Sequence, residues 1–239
     1  MTLSIENLKI KLFADGADIN GMLEMNSKPY IAGLTTNPTL MRKAGVTGYK
    51  EFATKVLSMI TVKPISFEVF SDDLKEMERQ ALEISGWGNN VFVKIPITNT
   101  LGVSTAPVIE KLVKQGVKVN VTALMTTAQV ETVSNVLDPT LPSYVSVFAG
   151  RIADTGRNPE PIMAESLNIL KQNKNTELIW ASPRELLNIF QADNIGCHII
   201  TATSEVLQKL ELVGHNLETY SLETVQMFRR DAVASMFEL

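Results

Sequence analysis

Lys94 lies inside Val91-Phe92-Val93-Lys94-Ile95-Pro96-Ile97, an apolar run of strong β character. A lysine within a buried strand is costly unless its amine is neutralised, paired or used. In water an amine with a pKa near ~10.4 is unprotonated in about one molecule in a thousand at neutral pH. Desolvation raises that fraction and makes an amine that attacks carbonyls, which is the chemistry of Schiff-base lysines. Two plainer readings stand beside this one. Lys94 snorkels to the strand end, or it meets a carboxylate as a structural ion pair.

Other polar residues interrupt or end similar runs. Asp15 closes the first, Thr35-Thr36-Asn37-Pro38 follows the second, and Glu68 sits inside Ile65-Ser66-Phe67-Glu68-Val69-Phe70. Asn120 and Thr122 are two apart in the fifth run and so share a face. Ser146, Phe148 and Arg151 come at the sixth, Ser182 and Arg184 at the seventh. Carboxylates beside an amine suit proton transfer, and paired arginines suit an anionic group. Each also has a structural alternative. Asp15 could be a helix N-cap, Asn37-Pro38 only a turn, and Glu68 only the neutraliser of Lys94. Asn120 and Thr122 could bond the backbone, and Arg184 could sit unliganded in a first helical turn.

The elements that must position these residues alternate along the chain. Strands are expected at 10–15, 31–35, 65–70, 91–95, 117–124, 144–149, 178–181 and 197–201. Helices are expected at 17–27, 48–61, 72–86, 102–115, 126–136, 159–173, 183–193 and 203–213, several with start signals at Ser71-Asp72, Thr126-Thr127 and Pro159/Pro161. Eight strand–helix units are the count of a (β/α)8 TIM barrel. A doubly wound open sheet is the alternative, although it usually has fewer strands and a glycine-rich first turn. In a barrel, the polar residues at the C-terminal strand ends share one mouth. The expected organisation is a single barrel domain over 1–239 with 217–239 as a helical extension. Its apolar stripe of Leu222, Val225, Phe228 and Val233 should pack on the barrel or on a neighbouring subunit.

Composition narrows the function classes. A net charge of −4 over 239 residues gives no footprint for nucleic acid or an anionic membrane. Arg229-Arg230 reads as a solvated helix face. The N-terminal segment lacks an apolar signal core, and no stretch approaches the ~18 residues of a membrane span, so a cytoplasmic protein is expected. One cysteine, Cys197, allows no intrachain disulfide, and it reads as a small buried hydrophobe. The two histidines, His198 and His215, have no metal-binding spacing. Cys197 and His198 are neighbours in a strand-like run and point to opposite faces. No glycine-rich nucleotide loop is present. Neither metal nor cofactor is expected.

Five segments carry a resemblance: GLTTNPTL at 33–40, VFVKIPIT at 91–98, NVTALMTTAQ at 120–129, VSVFAGRIAD at 145–154 and WASPR at 180–184. Residues 10–210 resemble the transaldolase family, the Schiff-base aldolases that include transaldolase and the fructose-6-phosphate aldolases. The resemblance implies a (β/α)8 barrel and no cofactor. It implies that Lys94 forms the Schiff base, that Asp15 is the acid/base at the C4 hydroxyl, and that Glu68 and Thr122 work through a water in carbinolamine chemistry. Asn37 and Asn120 would hold the dihydroxyacetone hydroxyls, with Thr35 and Ser146 lining the pocket. Arg151, Ser182 and Arg184 would clamp a phosphate. Glu68 and Phe148 resemble the transaldolase pair, where the aldolases usually carry glutamine and tyrosine. The implied reaction moves dihydroxyacetone from sedoheptulose 7-phosphate to glyceraldehyde 3-phosphate, in the pentose phosphate pathway. The partners expected are phosphorylated sugars and further copies of the chain, as a homo-oligomer. An aldolase-like activity, or a related anionic ketose, is the alternative. A barrel that only binds or scaffolds is the non-enzymatic rival. The chain departs from the family at Gly16, Pro183 and His198, where Thr or Ser, Phe and Asp are usual.

Overall fold

The computed structural model describes residues 7–236. In chain order the first half runs β1 (Lys11–Asp15), α1 (Ile19–Ser27), β2 (Ile31–Thr35), α2 (Pro38–Lys43), α3 (Tyr49–Met59), β3 (Ile65–Glu68), α4 (Leu74–Ser85) and β4 (Val91–Pro96). The second half runs α5 (Ala106–Lys114), β5 (Val119–Leu124), α6 (Thr127–Ser134), β6 (Ser143–Val147), α7 (Ala149–Asp154), α8 (Glu160–Leu170), β7 (Thr176–Trp180), α9 (Leu187–Asn194), β8 (Ile199–Thr203), α10 (Ser204–Gln208), a 3-10 turn (Lys209–Leu212) and α11 (Leu217–Ala234). All eight strands are parallel, each pairs with its sequence neighbours, and β8 pairs with β1. This is the closed TIM barrel that the strand count implies.

Strand alternation divides the core in two. Outward residues such as Leu12, Ile65, Val93, Val121 and Ile200 pack under the helices. Inward residues Phe13, Phe92, Tyr144, Ile179 and Ile199 form a separate apolar floor inside the barrel. Phe92 and Tyr144 stack at 4.0 Å between centroids, and Phe13 meets Tyr144 edge-on at 5.7 Å. The floor leaves no room on β2 beside it: a Cβ on Gly33 would stand 2.4 Å from the Phe13 ring. The polar inward residues therefore lie above a dry, filled base, on the C-terminal side where barrel chemistry concentrates.

Local signals set the helix starts. Asp18, Asn37, Asp73 and Thr126 each accept the N–H three residues on, and Gln129 completes a capping box with Thr126.

Several element boundaries differ from the sequence expectation. The third strand ends at Glu68 because Gln80 Oε1 accepts the N–H of both Phe70 and Ser71, each at 3.0 Å, and this turns Phe70 outward. The sixth strand ends at Val147, where Phe148 begins the short helix α7. Helix α5 starts at Ala106, since Thr98 and Ser104 form an antiparallel bridge before it. The eighth strand spans Ile199–Thr203, so Cys197 and His198 precede it at the barrel's N-terminal end. Cys197 is buried, and burial pushes its thiol pKa up to about 12. No residue of α11 is buried, and Arg229 and Arg230 are exposed. The apolar stripe of α11 therefore does not pack into the barrel. Residues 237–239 of the expected extension lie outside the described residues.

Candidate active site

Strand register brings the polar residues to one level. Glu68 is aligned with Lys94, Lys94 with Asn120, and Asp15 with Thr35. Lys94 is 7% exposed. Its Nζ donates to the Thr36 carbonyl at 3.2 Å and stands 3.5 Å from Glu68 Oε2. The amine therefore neither snorkels out of the barrel nor stands alone.

Asp15 is held from two sides. Thr35 Oγ1 donates to its Oδ1 at 2.8 Å, and Asn37 Nδ2 reaches its Oδ2 at 3.3 Å. Asn37 also caps α2, its Oδ1 accepting the Leu40 N–H at 2.9 Å. Capping fixes which way the amide faces and so aims its NH2 at Asp15. Turn, cap and site contact are one arrangement. Asp15 itself caps nothing; Asp18 performs that role for α1. Burial raises the Asp15 pKa, against the lowering pull of Lys94 and the Thr35 hydrogen bond. Glu68 is raised by burial as well, partly offset by Lys94, with Asp15 pushing it further up. Two carboxylates with pKa values raised above the ordinary carboxylate range stand near one buried amine, a pattern common where side chains exchange protons.

Asn120 is fully buried between two hydroxyls. Its Nδ2 donates to Ser66 Oγ at 2.9 Å, and its Oδ1 accepts from Ser146 Oγ at 2.7 Å. Thr122 is buried as well, and its Oγ1 has no hydrogen-bond partner. The next residue, Ala123, has φ +65°, and the β5–β6 register shifts between Val121 and Leu124. Such an irregularity at a strand end re-aims side chains, here around an unpartnered hydroxyl.

The arginines stand apart from this cluster. Arg184 is exposed and pairs with Asp154, its Nε donating to Oδ1 at 2.9 Å. Arg151 is exposed and lies 5.4 Å from the centroid of the half-buried Phe148 ring. The Arg184 hydrogen bond, with a smaller pull from Arg151, holds Asp154 below the usual carboxylate range. The start of α7 and the loop after β7 interlock: Ser182 has φ +60°, and a Cβ on Gly150 would stand 1.6 Å from the Ser182 carbonyl oxygen. Only glycine allows that approach. Arg151, on α7, and Ser182 and Arg184, on the loop after β7, thus belong to two interlocked segments that follow β6 and β7.

Sequence reasoning missed Ser66, Thr201, Asp154 and the Thr36 carbonyl. Ser66 was findable, two residues before Glu68 on the same strand face. Thr201 has no such neighbour among the expected site residues of its strand. Nothing in the sequence marks Asp154 as the partner of Arg184. Among the described residues no group of three or more His, Cys, Asp or Glu could hold a metal ion, and no helix is long and apolar enough to cross a membrane.

Comparison with known proteins identifies the family. A probable transaldolase from Thermoanaerobacter sp. (strain X514) is 33% identical over 217 residues, covering 90% of this chain and 94% of the relative. One from Caldicellulosiruptor saccharolyticus is 34% identical over 203 residues, covering 84% and 89%. Among solved structures, a mandelate oxidase mutant with an FMN adduct superposes with a TM-score of 0.57 at 11% identity, over 86% of this chain and 72% of that one, which shows the barrel fold alone. The family profile described as Transaldolase/Fructose-6-phosphate aldolase matches residues 12–239. The chain is an enzyme of the transaldolase/fructose-6-phosphate aldolase family.

Proposed function

We propose that the chain is a transaldolase that carries a dihydroxyacetone unit on Lys94, from sedoheptulose 7-phosphate to glyceraldehyde 3-phosphate. The observation that carries this reading is the buried Lys94 amine, 3.5 Å from Glu68 in a mouth that also holds Asp15. The neutral amine adds to the C2 carbonyl. Glu68, with the Thr122 hydroxyl, moves the protons that convert carbinolamine into iminium and water. Asp15 then takes the C4 hydroxyl proton. The C3–C4 bond breaks, its electrons pass to the iminium nitrogen as an enamine, and erythrose 4-phosphate leaves. The enamine attacks the acceptor aldehyde, Asp15 returns its proton to the new alkoxide, and hydrolysis frees fructose 6-phosphate and the amine. Thr35, Asn37, Asn120 and Ser146 orient the dihydroxyacetone portion. Arg151, Ser182 and Arg184 meet the phosphate.

Phe148 favours transfer over simple cleavage, since an apolar ring offers no hydroxyl to position a hydrolytic water. The pathway proposed is the pentose phosphate pathway, in the cytoplasm, on one barrel domain spanning 1–239. A homo-oligomer is also proposed, with the uncovered stripe of α11 against another copy; light scattering at a monomer mass sinks that part. For the chemistry, borohydride with fructose 6-phosphate should add a three-carbon fragment to Lys94. No adduct, or one on another lysine, overturns the reading. An aldolase-like reading gains if fructose 6-phosphate alone releases dihydroxyacetone as fast as transfer proceeds.

A further inference from the structure

The Asp15 carboxylate heads a chain of hydroxyls that reaches a strand no role has been given to. Thr35 Oγ1 lies 2.8 Å from Asp15 Oδ1 and 2.6 Å from Thr201 Oγ1. Thr35 is 1% exposed and Thr201 7%, so both hydroxyls are shut away from bulk water. Each hydroxyl has one proton to donate. With Asp15 ionised, Thr35 spends its proton on Oδ1, and the contact between the two threonines can then be a hydrogen bond only if Thr201 donates. The direction of the whole chain is fixed: Thr201 to Thr35 to Asp15. Barrel closure makes it possible, because β1 pairs with β2 on one side and β8 on the other.

We propose that Thr201 is a positioning residue for the Asp15 acid/base step. Its hydroxyl fixes Thr35 as a donor to Oδ1, which leaves Oδ2, beside the Asn37 amide, as the oxygen that exchanges the substrate proton. This rests on the reading of Asp15 given above and adds a residue to it. The arrangement works in both protonation states. When the proton resides on Oδ2, Oδ1 is a carbonyl oxygen and still accepts from Thr35, so nothing in the chain need rotate during turnover. Hydrogen bonds in series polarise one another. Removing the Thr201 hydroxyl therefore weakens the Thr35 bond to the carboxylate and disfavours the ionised form. The other charges that face Asp15 stay in place: Lys94 and Glu68 from β4 and β3, and Asp18 and Lys43 around the cavity beside it.

The test compares wild type with Thr201→Val, which keeps the branched shape, Thr201→Ala and Thr201→Ser. For a base that must be ionised, the acid limb of kcat/KM should move to higher pH in Val and Ala, with a loss of about two- to fivefold on that limb and little change on the plateau. Ser should restore the wild-type profile, and KM for the donor should hold. A titration of the Asp15 carboxyl by carbon-13 NMR, assigned with Asp15→Asn, should move in the same direction. That readout needs no turnover. If the NMR midpoint of a folded Val or Ala variant matches wild type, or moves down, the Thr201 proposal is overturned, whatever the enzyme does. If the midpoint moves as expected but borohydride traps no sugar on wild-type Lys94, the transaldolase reading fails while the Thr201–Thr35–Asp15 chain stands as a structural coupling without its catalytic role. Should Val fail to fold, Ala carries the same comparison.

Discussion

Replacing Lys94 by methionine asks whether the amine is retained for chemistry or for stability. Nζ stands 3.5 Å from Glu68 Oε2, with the side chains 8% and 18% exposed. At that separation and an effective dielectric of ~20, the Coulomb attraction is roughly 5 kcal/mol. Desolvation of both ions, and solvent reaching Glu68, offset more than half of it and leave a coupling of about 2 kcal/mol. Lys94→Met keeps length and apolar volume but strands a buried carboxylate, so a loss of about 3 kcal/mol is expected near pH ~8. The pH dependence has a definite sign. Burial already raises the folded-state pKa of Glu68 above its ordinary value, with Lys94 holding part of that rise back. The folded chain therefore binds the Glu68 proton more tightly than the unfolded chain, and stability falls as pH climbs from the unfolded value to the raised one. Without Lys94 that window widens upward, so the loss should be small near pH ~5 and largest on the alkaline side. Replacing both partners, Lys94→Met with Glu68→Gln, should recover wild-type stability to within about 1 kcal/mol, or exceed it. That double variant should have no transfer activity. Urea melts of wild type, Lys94→Met, Glu68→Gln and the double variant at the two pH values close the cycle. If Lys94→Met is as stable as wild type at both, or the double is as unstable as Lys94→Met, the pair is not ionic and the reasoning fails.

Four further outcomes are expected. Phe148→Tyr should raise acceptor-independent release of dihydroxyacetone by about tenfold, measured by coupled assay, because a phenol can position the hydrolytic water. Arg184→Ala should raise KM for the phosphorylated donor by about tenfold or more and change KM for unphosphorylated fructose much less; equal effects on both donors would remove Arg184 from the phosphate site. Gly150→Ala should lose at least about 2 kcal/mol in a thermal melt, since its Cβ overlaps the Ser182 carbonyl. Wild-type kcat/KM should fall on the acid side at a pH above the ordinary aspartate range, because burial raises Asp15; a profile flat down to pH ~4 contradicts that.

The barrel was legible because its strands are short apolar runs at near-regular spacing, buried on both faces. Lys94, Glu68 and Asn120 were legible for the opposite reason: each breaks such a run, and equal depth along neighbouring strands brings them level. Boundaries were harder to read where a distant side chain decides them. Gln80, twelve residues beyond Glu68, ends β3 by taking two backbone N–H groups. Helices α2 and α7, of six residues each, are too short for a periodicity to show. Asp154 pairs with an arginine 30 residues away, which only the packing of α7 against the loop after β7 brings near. Thr201 gave no signal because a threonine in a strand is ordinary; its contact with Thr35 depends on closure of the barrel between β8 and β1.

The departures from the family pattern can be sorted by where the fold puts them. His198 lies before β8, at the end of the barrel opposite the mouth, and its Nδ1 accepts the Leu178 N–H at 2.9 Å. That contact requires an unprotonated Nδ1, in keeping with the downward push of burial on its pKa. Its role is to satisfy a backbone donor between β7 and β8, far from Lys94 along the strand direction. Gly16 follows Asp15, where an added Cβ would meet nothing within 4 Å, so space alone does not demand glycine there. Pro183 is different. It joins Ser182, held at φ +60°, to Arg184, and its ring fixes the path between them. Arg184 leaves that path paired to Asp154, while the N–H groups of Arg184 and Glu185 are taken by Asn188 Oδ1. On the proposed reading, an incoming phosphate must compete with a carboxylate for this guanidinium. Any change in substrate preference should accordingly appear at the anionic end of the donor, in KM and in the choice of acid group, rather than at the carbon–carbon bond.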